Sequence, residues 1–175
     1  MFTMVANNRI PSTEKALQQS YLSCEKRGKF KQVGRASYSD YFQRAQKDLI
    51  SAERDLQAGD FHWARIKAYQ SLFHLLNAIL VKHWGYFSKD HSCVIVALMQ
   101  NNLITADIAA RLHLLTEKTI KGATAQDIYG DIDEFRIQRN FALYKPKAWE
   151  NVKKEDVEEE LTKIKNNFNI LVKVL

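Results

Sequence analysis

Proline and glycine are scarce, with two and six residues in a chain of 175. Long stretches therefore hold nothing that breaks a helix, and a turn-rich all-β chain is excluded. Alternation of polar and apolar residues never persists, so no strand is expected anywhere. Cysteine is scarce too. Cys24 and Cys93 lack metal-ligand spacing, and the opening MFTMVANNRIP shows no export pattern. They therefore read as reduced thiols, small side chains in or near a core. No apolar run is long enough to span a bilayer, because Lys67, His74, Asn77, Lys82 and His83 interrupt the longest one. There is no Gly-rich phosphate loop, HExxH, CxxC or GxSxG. The reading is a cytoplasmic protein with no cofactor, no metal and no membrane.

What is present is helical patterning. The stretch Ala64–Gly85, ARIKAYQSLFHLLNAILVKHWG, carries two adjacent apolar faces. Ala64, Ala68, Leu72, Leu75 and Ile79 step along one; Tyr69, Phe73, Leu76, Leu80 and Trp84 step along the other. Such a helix is buried on most sides, so several helices must cover it. At 46% apolar the chain can build one such core. The fold expected is all-α, an up-and-down helical bundle of about five core helices with an extra N-terminal helix. Residues 1–37 form a basic arm with a short helix, and 38–175 form the bundle.

In chain order, Ser12 or Thr13 caps a helix that runs to about Arg27 and stops at Gly28. Its thin apolar face is Ala16, Leu17, Ser20, Tyr21 and Cys24. Lys29–Ser37 is a basic linker. The next helix, from Ser39 or Asp40 to about Ala58, buries Tyr41, Ala45, Leu49, Ala52 and Leu56, joined by Phe42 and Ile50. Its wet face is Gln43, Arg44, Lys47, Asp48, Glu53 and Arg54. Gly59 ends it and Asp60 caps the central helix, a connection short enough to force an αα-hairpin. Ser88 or Asp90 caps a helix from about His91 to Asn101–Asn102. Further helices follow at about Thr105–Lys121 and Gln126–Leu143, and Pro146 prevents continuation. The last helix begins near Asp156, with Val157, Leu161, Ile164, Phe168, Leu171 and Val174 as its apolar stripe.

The net charge is +6, and its distribution matters more than its sum. Residues 1–35 hold Arg9, Lys15, Lys26, Arg27, Lys29, Lys31 and Arg35 against Glu14 and Glu25, a net +5. A basic arm on a nearly neutral body is either an electrostatic footprint for nucleic acid or a solvated tail. The densest polar constellation is FRIQRNFALYKP, in which Arg136, Arg139 and Asn140 share a helix face with Tyr144 close behind. An arginine turned inward must find a carboxylate, a carbonyl or a phosphate, because it cannot be deprotonated. Arg139 is thus either a structural bridge or, with Asn140 and Tyr144, a contact to phosphate or RNA. Of the histidines, His74 reads as a hydrogen-bonded core residue, and His91, at a loop–helix junction, as a site candidate.

The order of these features resembles the HEPN superfamily of small helical proteins, in an uncharacterised branch. The residues that carry the resemblance are Ala64, Ala68–Tyr69, Phe73–His74, Ala78, Leu80, Gly85 and His91, then a late Arg-x4-Tyr motif at Arg139 and Tyr144. It covers roughly Ser39–Tyr144. The resemblance implies a homodimer, a toxin–antitoxin setting and a nucleotidyltransferase partner. Active members are metal-independent ribonucleases whose arginine is followed by a polar residue and then a histidine. Arg139–Asn140 matches the first two, but Tyr144 stands where the histidine belongs. A tyrosine with a pKa near 10 does not exchange protons at neutrality. The reading that follows is a non-catalytic module binding RNA, a nucleotide or a partner protein through Arg136, Arg139, Asn140, Tyr144 and His91. The alternatives are a ribonuclease toxin with a degenerate site, and an antitoxin-like or scaffold subunit.

Overall fold

The computed structural model describes residues 11, 13–106, 108, 109 and 152–175. The chain folds as an all-α helical bundle, with one minimal sheet among the described residues. Helix α1 spans Glu14–Lys26, and the Thr13 hydroxyl accepts from Ala16 N at 3.2 Å to cap it. It ends before Gly28, whose φ of +63° suits a residue without Cβ. The linker expected next is in fact structured. Strand β1 (Phe30–Gln32) and a 3-10 turn (Arg35–Ser37) fill it. β1 pairs antiparallel with β2 (Tyr86–Ser88) in the register Phe30↔Ser88, Lys31↔Phe87 and Gln32↔Tyr86. The expectation of no strand fails here because three residues are too few to show a period of two.

Helices α2 (Tyr38–Gln57) and α3 (Phe61–Trp84) form the expected αα-hairpin around Gly59. Ala45 and Ala52 are wholly buried on α2, and such small side chains let the two helices approach closely. Two α2 residues depart from expectation. Ile50 is 66% exposed rather than joined to the stripe, and Asp48 is buried rather than on the wet face. Both follow from helical phase: Asp48 lies three residues after Ala45 and four before Ala52, so it shares their side, whereas Ile50 does not.

α3 is the centre of the molecule and packs against α2, α4 (His91–Gln100) and α5 (Lys154–Val172). Leu72, Leu75, Ile79 and Val81 are fully buried on it. α5 contributes Val157, Leu161, Ile164, Phe168 and Leu171, the stripe expected from their spacing. Ala106, Ile108 and Ala109 are helical, as expected after Thr105, whose Oγ1 accepts from Ile108 N at 3.3 Å. The remainder of that helix, the helix expected at 126–143 and residues Arg136, Arg139, Asn140 and Tyr144 lie outside the described residues.

The cysteines correct a further expectation. Cys24 and Cys93 are joined as a disulfide across 69 positions, tying α1 to the first turn of α4. Nothing in their spacing announces this, because the two residues meet only once α1 docks on α4. Lys29–Asp90 at 3.3 Å and Val33 N to Gly85 O at 2.7 Å add to the same attachment. Gly85 is required twice over: its φ is +72°, and a Cβ there would lie 3.1 Å from Val33 O.

Candidate functional site

His91 is the one predicted site residue among those described. It opens α4 directly after Asp90, the N-cap, whose carboxylate accepts from Cys93 N at 3.2 Å and Ser92 Oγ at 2.7 Å. Burial raises the Asp90 pKa, but the hydrogen bonds from Ser92 and Cys93 and the Lys29 ammonium outweigh it and hold the group below its ordinary value. The His91 ring lies nearly parallel to Phe73, 4.0 Å between centroids and 9° between planes, and to Tyr69, at 5.0 Å and 6°. Burial among these rings pushes its pKa down to about 3. The imidazole is therefore neutral near pH 7, packed against these two rings and carrying no charge.

A second constellation has no motif in the sequence to mark it. Asp48 on α2 accepts from two donors at one oxygen. His74 Nδ1, on α3, is 2.9 Å from Oδ2, and Arg44 Nε, one turn earlier on α2, is 3.0 Å from it. A carboxylate only accepts, so Nδ1 is the donor in this contact. The Asp48 side chain is 6% exposed, that of His74 27% and that of Arg44 61%. The carboxylate is thus shielded, while the ring and the guanidinium reach solvent.

The same seam holds a second rung. Lys67 Nζ on α3 meets Asp55 Oδ2 on α2 at 2.5 Å. Asp55 lies seven residues after Asp48, and Lys67 seven before His74. Two antiparallel helices meet again after two turns, which accounts for the repeat. A partial sequence signal for the first rung exists. Arg44 and Asp48 are an i, i+4 pair, and Asp48 falls in phase with Ala45 and Ala52. The histidine reads in the sequence only as a hydrogen-bonded core residue, its neighbours Phe73, Leu75 and Leu76 all being core, and nothing there names Asp48 as its partner.

Asn77, one turn after His74, is 2% exposed and positions the segment leading to His91. Its Oδ1 accepts from Ser88 N at 2.8 Å, and its Nδ2 donates to Phe73 O at 3.3 Å. Ser88 Oγ in turn accepts from Asp90 N at 3.1 Å. α3 therefore fixes both the aromatic bed of His91 and the turn that delivers it. Among the described residues no cluster of three His, Cys, Asp or Glu side chains has the geometry to hold a metal ion, and no helix is long and apolar enough to cross a membrane.

Comparison with known proteins bears on what such a bundle does. The HEPN domain family model matches residues 38–174, which takes in α2 through α5 and the Arg139–Tyr144 motif. No curated protein matches the chain.

Proposed function

Because the chain belongs to the HEPN family over residues 38–174, we propose that it is an RNA-binding module that contacts the sugar–phosphate backbone through Arg139, Asn140 and Tyr144. Arg136 and His91 are the further contacts of this reading, and two copies of the chain pair as a homodimer. Single-stranded RNA is the ligand this chemistry favours. Guanidinium groups hold phosphate, an amide reads polar edges, and an aromatic ring stacks on a base.

The observation that carries the reading is the attachment of the basic arm. The disulfide, the β1–β2 pairing and the Lys29–Asp90 ion pair hold Lys26, Arg27, Lys29 and Lys31 against the bundle beside the start of α4. Lys26 and Lys31 remain exposed there. A solvated tail needs no such fastening. A positive surface fixed on a HEPN bundle is what backbone recognition calls for. A toxin–antitoxin setting with a nucleotidyltransferase partner belongs to the same reading, through the family.

The test is a native gel with labelled single-stranded RNA in EDTA. It compares the wild type, Arg139→Ala and the double variant Lys26→Glu/Lys31→Glu over a series of salt concentrations. Binding through the proposed surface gives a retarded wild-type band that weakens steeply with salt. Arg139→Ala loses the band, and the double variant shows a shallower salt slope. RNA left unretarded by the wild type at low salt would sink the reading in favour of a subunit that binds only protein.

A further inference from the structure

We propose that the Cys24–Cys93 bridge is a redox latch. Closed, it fixes α1 on α4; opened by a dithiol, it lets α1 swing away about Gly28 while the bundle stays folded. The control this gives over the positive surface rests on the RNA-binding reading above, whereas the opening itself does not. Three observations carry the latch.

The first is how little else holds α1. Cys24 is the one buried residue of that helix; Leu17 and Tyr21 are half-buried, and Leu22 is 51% exposed. A short helix with so shallow an apolar face docks weakly without a covalent tie. It packs on α4, and it precedes the residues 38–174 that match the HEPN family. The second is a hinge that divides the attachment. Gly28 has a φ of +63°, and a Cβ there would meet nothing within 4 Å, so the chain turns in open space. Beyond it, the β1–β2 pairing and Lys29–Asp90 hold the linker to the bundle independently of the bridge. The third is the setting of the sulfurs. Arg27 Nη2 lies 3.6 Å from Cys24 Sγ and 3.6 Å from Cys93 Sγ. Cys93 is also the third residue of α4, at the positive end of the helix dipole. Asp90 caps the same turn, but Lys29 at 3.3 Å offsets its charge. A guanidinium and a helix N-terminus both stabilise a thiolate, which favours the reduced state and makes Cys93 the better leaving group. A bridge that served only as a staple would need no cation at its sulfurs.

The reductant is a dithiol, which supplies both electrons. With both sulfurs buried, attack follows a transient lifting of α1. One thiolate of the dithiol attacks Cys24 Sγ, the S–S bond breaks, and Cys93 leaves as a thiolate beside Arg27. The second thiolate attacks its partner sulfur in the mixed disulfide and displaces Cys24. The dithiol is oxidised to a disulfide, and its two protons pass to the two cysteines. A disulfide oxidant runs the same steps in reverse. Opening takes Lys26 and Arg27 away from the surface that Lys29 and Lys31 share, so fewer fixed cations face a phosphate backbone.

The experiment compares the full chain oxidised, reduced with dithiothreitol, and resealed with oxidised glutathione, all without denaturant. Trypsin should cut after Lys26 and Arg27 about tenfold or more faster in the reduced protein, and resealing should restore the slow rate. Cys24→Ser/Cys93→Ser should be cut at the fast rate with or without dithiothreitol. Amide exchange should quicken far more in Leu17–Lys26 than in the middle of α3. Iodoacetamide trapping reads the rate of reduction, which Arg27→Gln should slow several-fold and Arg27→Lys should partly restore. On a native gel, single-stranded RNA should be held less tightly by the reduced form, with a shallower salt slope. A bridge that dithiothreitol leaves intact in the folded protein overturns the latch. So does equal quickening of exchange in α1 and α3, which would make the bridge a source of global stability alone. Arg27→Gln reduced as fast as the wild type overturns the part given to Arg27. RNA retarded alike by the two forms overturns the control over binding. RNA retarded by neither form overturns the binding reading, and the trypsin rates still decide the latch.

Discussion

Arg65 and Glu160 stand 95 positions apart and meet through two parallel hydrogen bonds, Nε to Oε2 at 2.7 Å and Nη2 to Oε1 at 3.2 Å. The pair clamps α3 to α5 with both side chains largely withdrawn from water, at 12% and 13% exposure. A two-pronged contact of this kind holds helix register as well as charge. Removing one partner strands the other. Arg65→Ala or Glu160→Ala is expected to cost about 2–4 kcal/mol. The Arg65→Ala/Glu160→Ala double variant should cost less than the two single losses added. Denaturant unfolding of all four proteins measures the cycle, and strict additivity would show that the clamp contributes no coupling.

The Cys24–Cys93 bridge closes 69 positions of chain. Loop-closure entropy puts its contribution at up to about 4 kcal/mol. Reductant should therefore lower the urea midpoint of the wild type, while a Cys24→Ser/Cys93→Ser variant should unfold at the same lowered midpoint with or without it. A wild-type midpoint indifferent to reductant would mean that β1–β2 and Lys29–Asp90 hold α1 unaided.

His91 makes stability depend on pH in a defined direction. Its pKa falls from 6.5 in the unfolded chain to about 3 in the fold, because burial penalises the charged ring. Above about pH 6.5 neither state binds the proton and the group has no effect. As the pH falls from 6.5 towards 3, the unfolded chain takes up a proton that the folded one refuses. Stability then declines by at most about 1.4 kcal/mol per pH unit. His62, also lowered by burial and then by Arg65, acts with the same sign. Asp90 is separate, since a carboxyl held below 3.8 loses its contribution only at lower pH. Denaturant midpoints between pH 4 and 7 should slope downward with acid in the wild type, and His91→Gln should flatten that slope.

Asn77→Ala leaves the Ser88 amide without its acceptor in a buried setting. The expected cost is about 2 kcal/mol. The effect should be local as well as global: amide exchange at Ser88 and through Tyr86–Ser88 should quicken more than exchange in the middle of α2. Equal protection in the two proteins would show that β1–β2 pairing alone fixes the turn.

Much of the bundle is legible in the order of residues alone. Gly28, Gly59 and Gly85 mark helix ends where the pattern puts them. Asp90 caps α4 as its position implies, and five of the six residues of the expected last stripe are buried on α5, Val174 lying past its end and half-buried. These are local properties, set by side-chain period and by backbone conformations that only certain residues tolerate. The site is legible only in part. The family resemblance and the Arg139–Tyr144 motif lie in the order of residues along the chain. His91 stands out by its place at a helix start, but its neutral state comes from Phe73 and Tyr69, which fold against it from another helix.

The sequence by itself determined that this chain is a helical bundle centred on the stretch Ala64–Gly85, since two apolar faces on one helix admit no other burial. It determined the ends of α1, α2 and α3 at Gly28, Gly59 and Gly85 and the start of α4 at Asp90, because glycine and capping residues act within one turn of themselves. Only the tertiary structure decided that Cys24 is bonded to Cys93, that a three-residue strand crosses from the arm to the bundle, and that Asp48 turns inward to His74. Each of these joins residues at least 26 positions apart. A contact across such a distance leaves no period in either segment, and exists only when the packing of other residues brings its partners together.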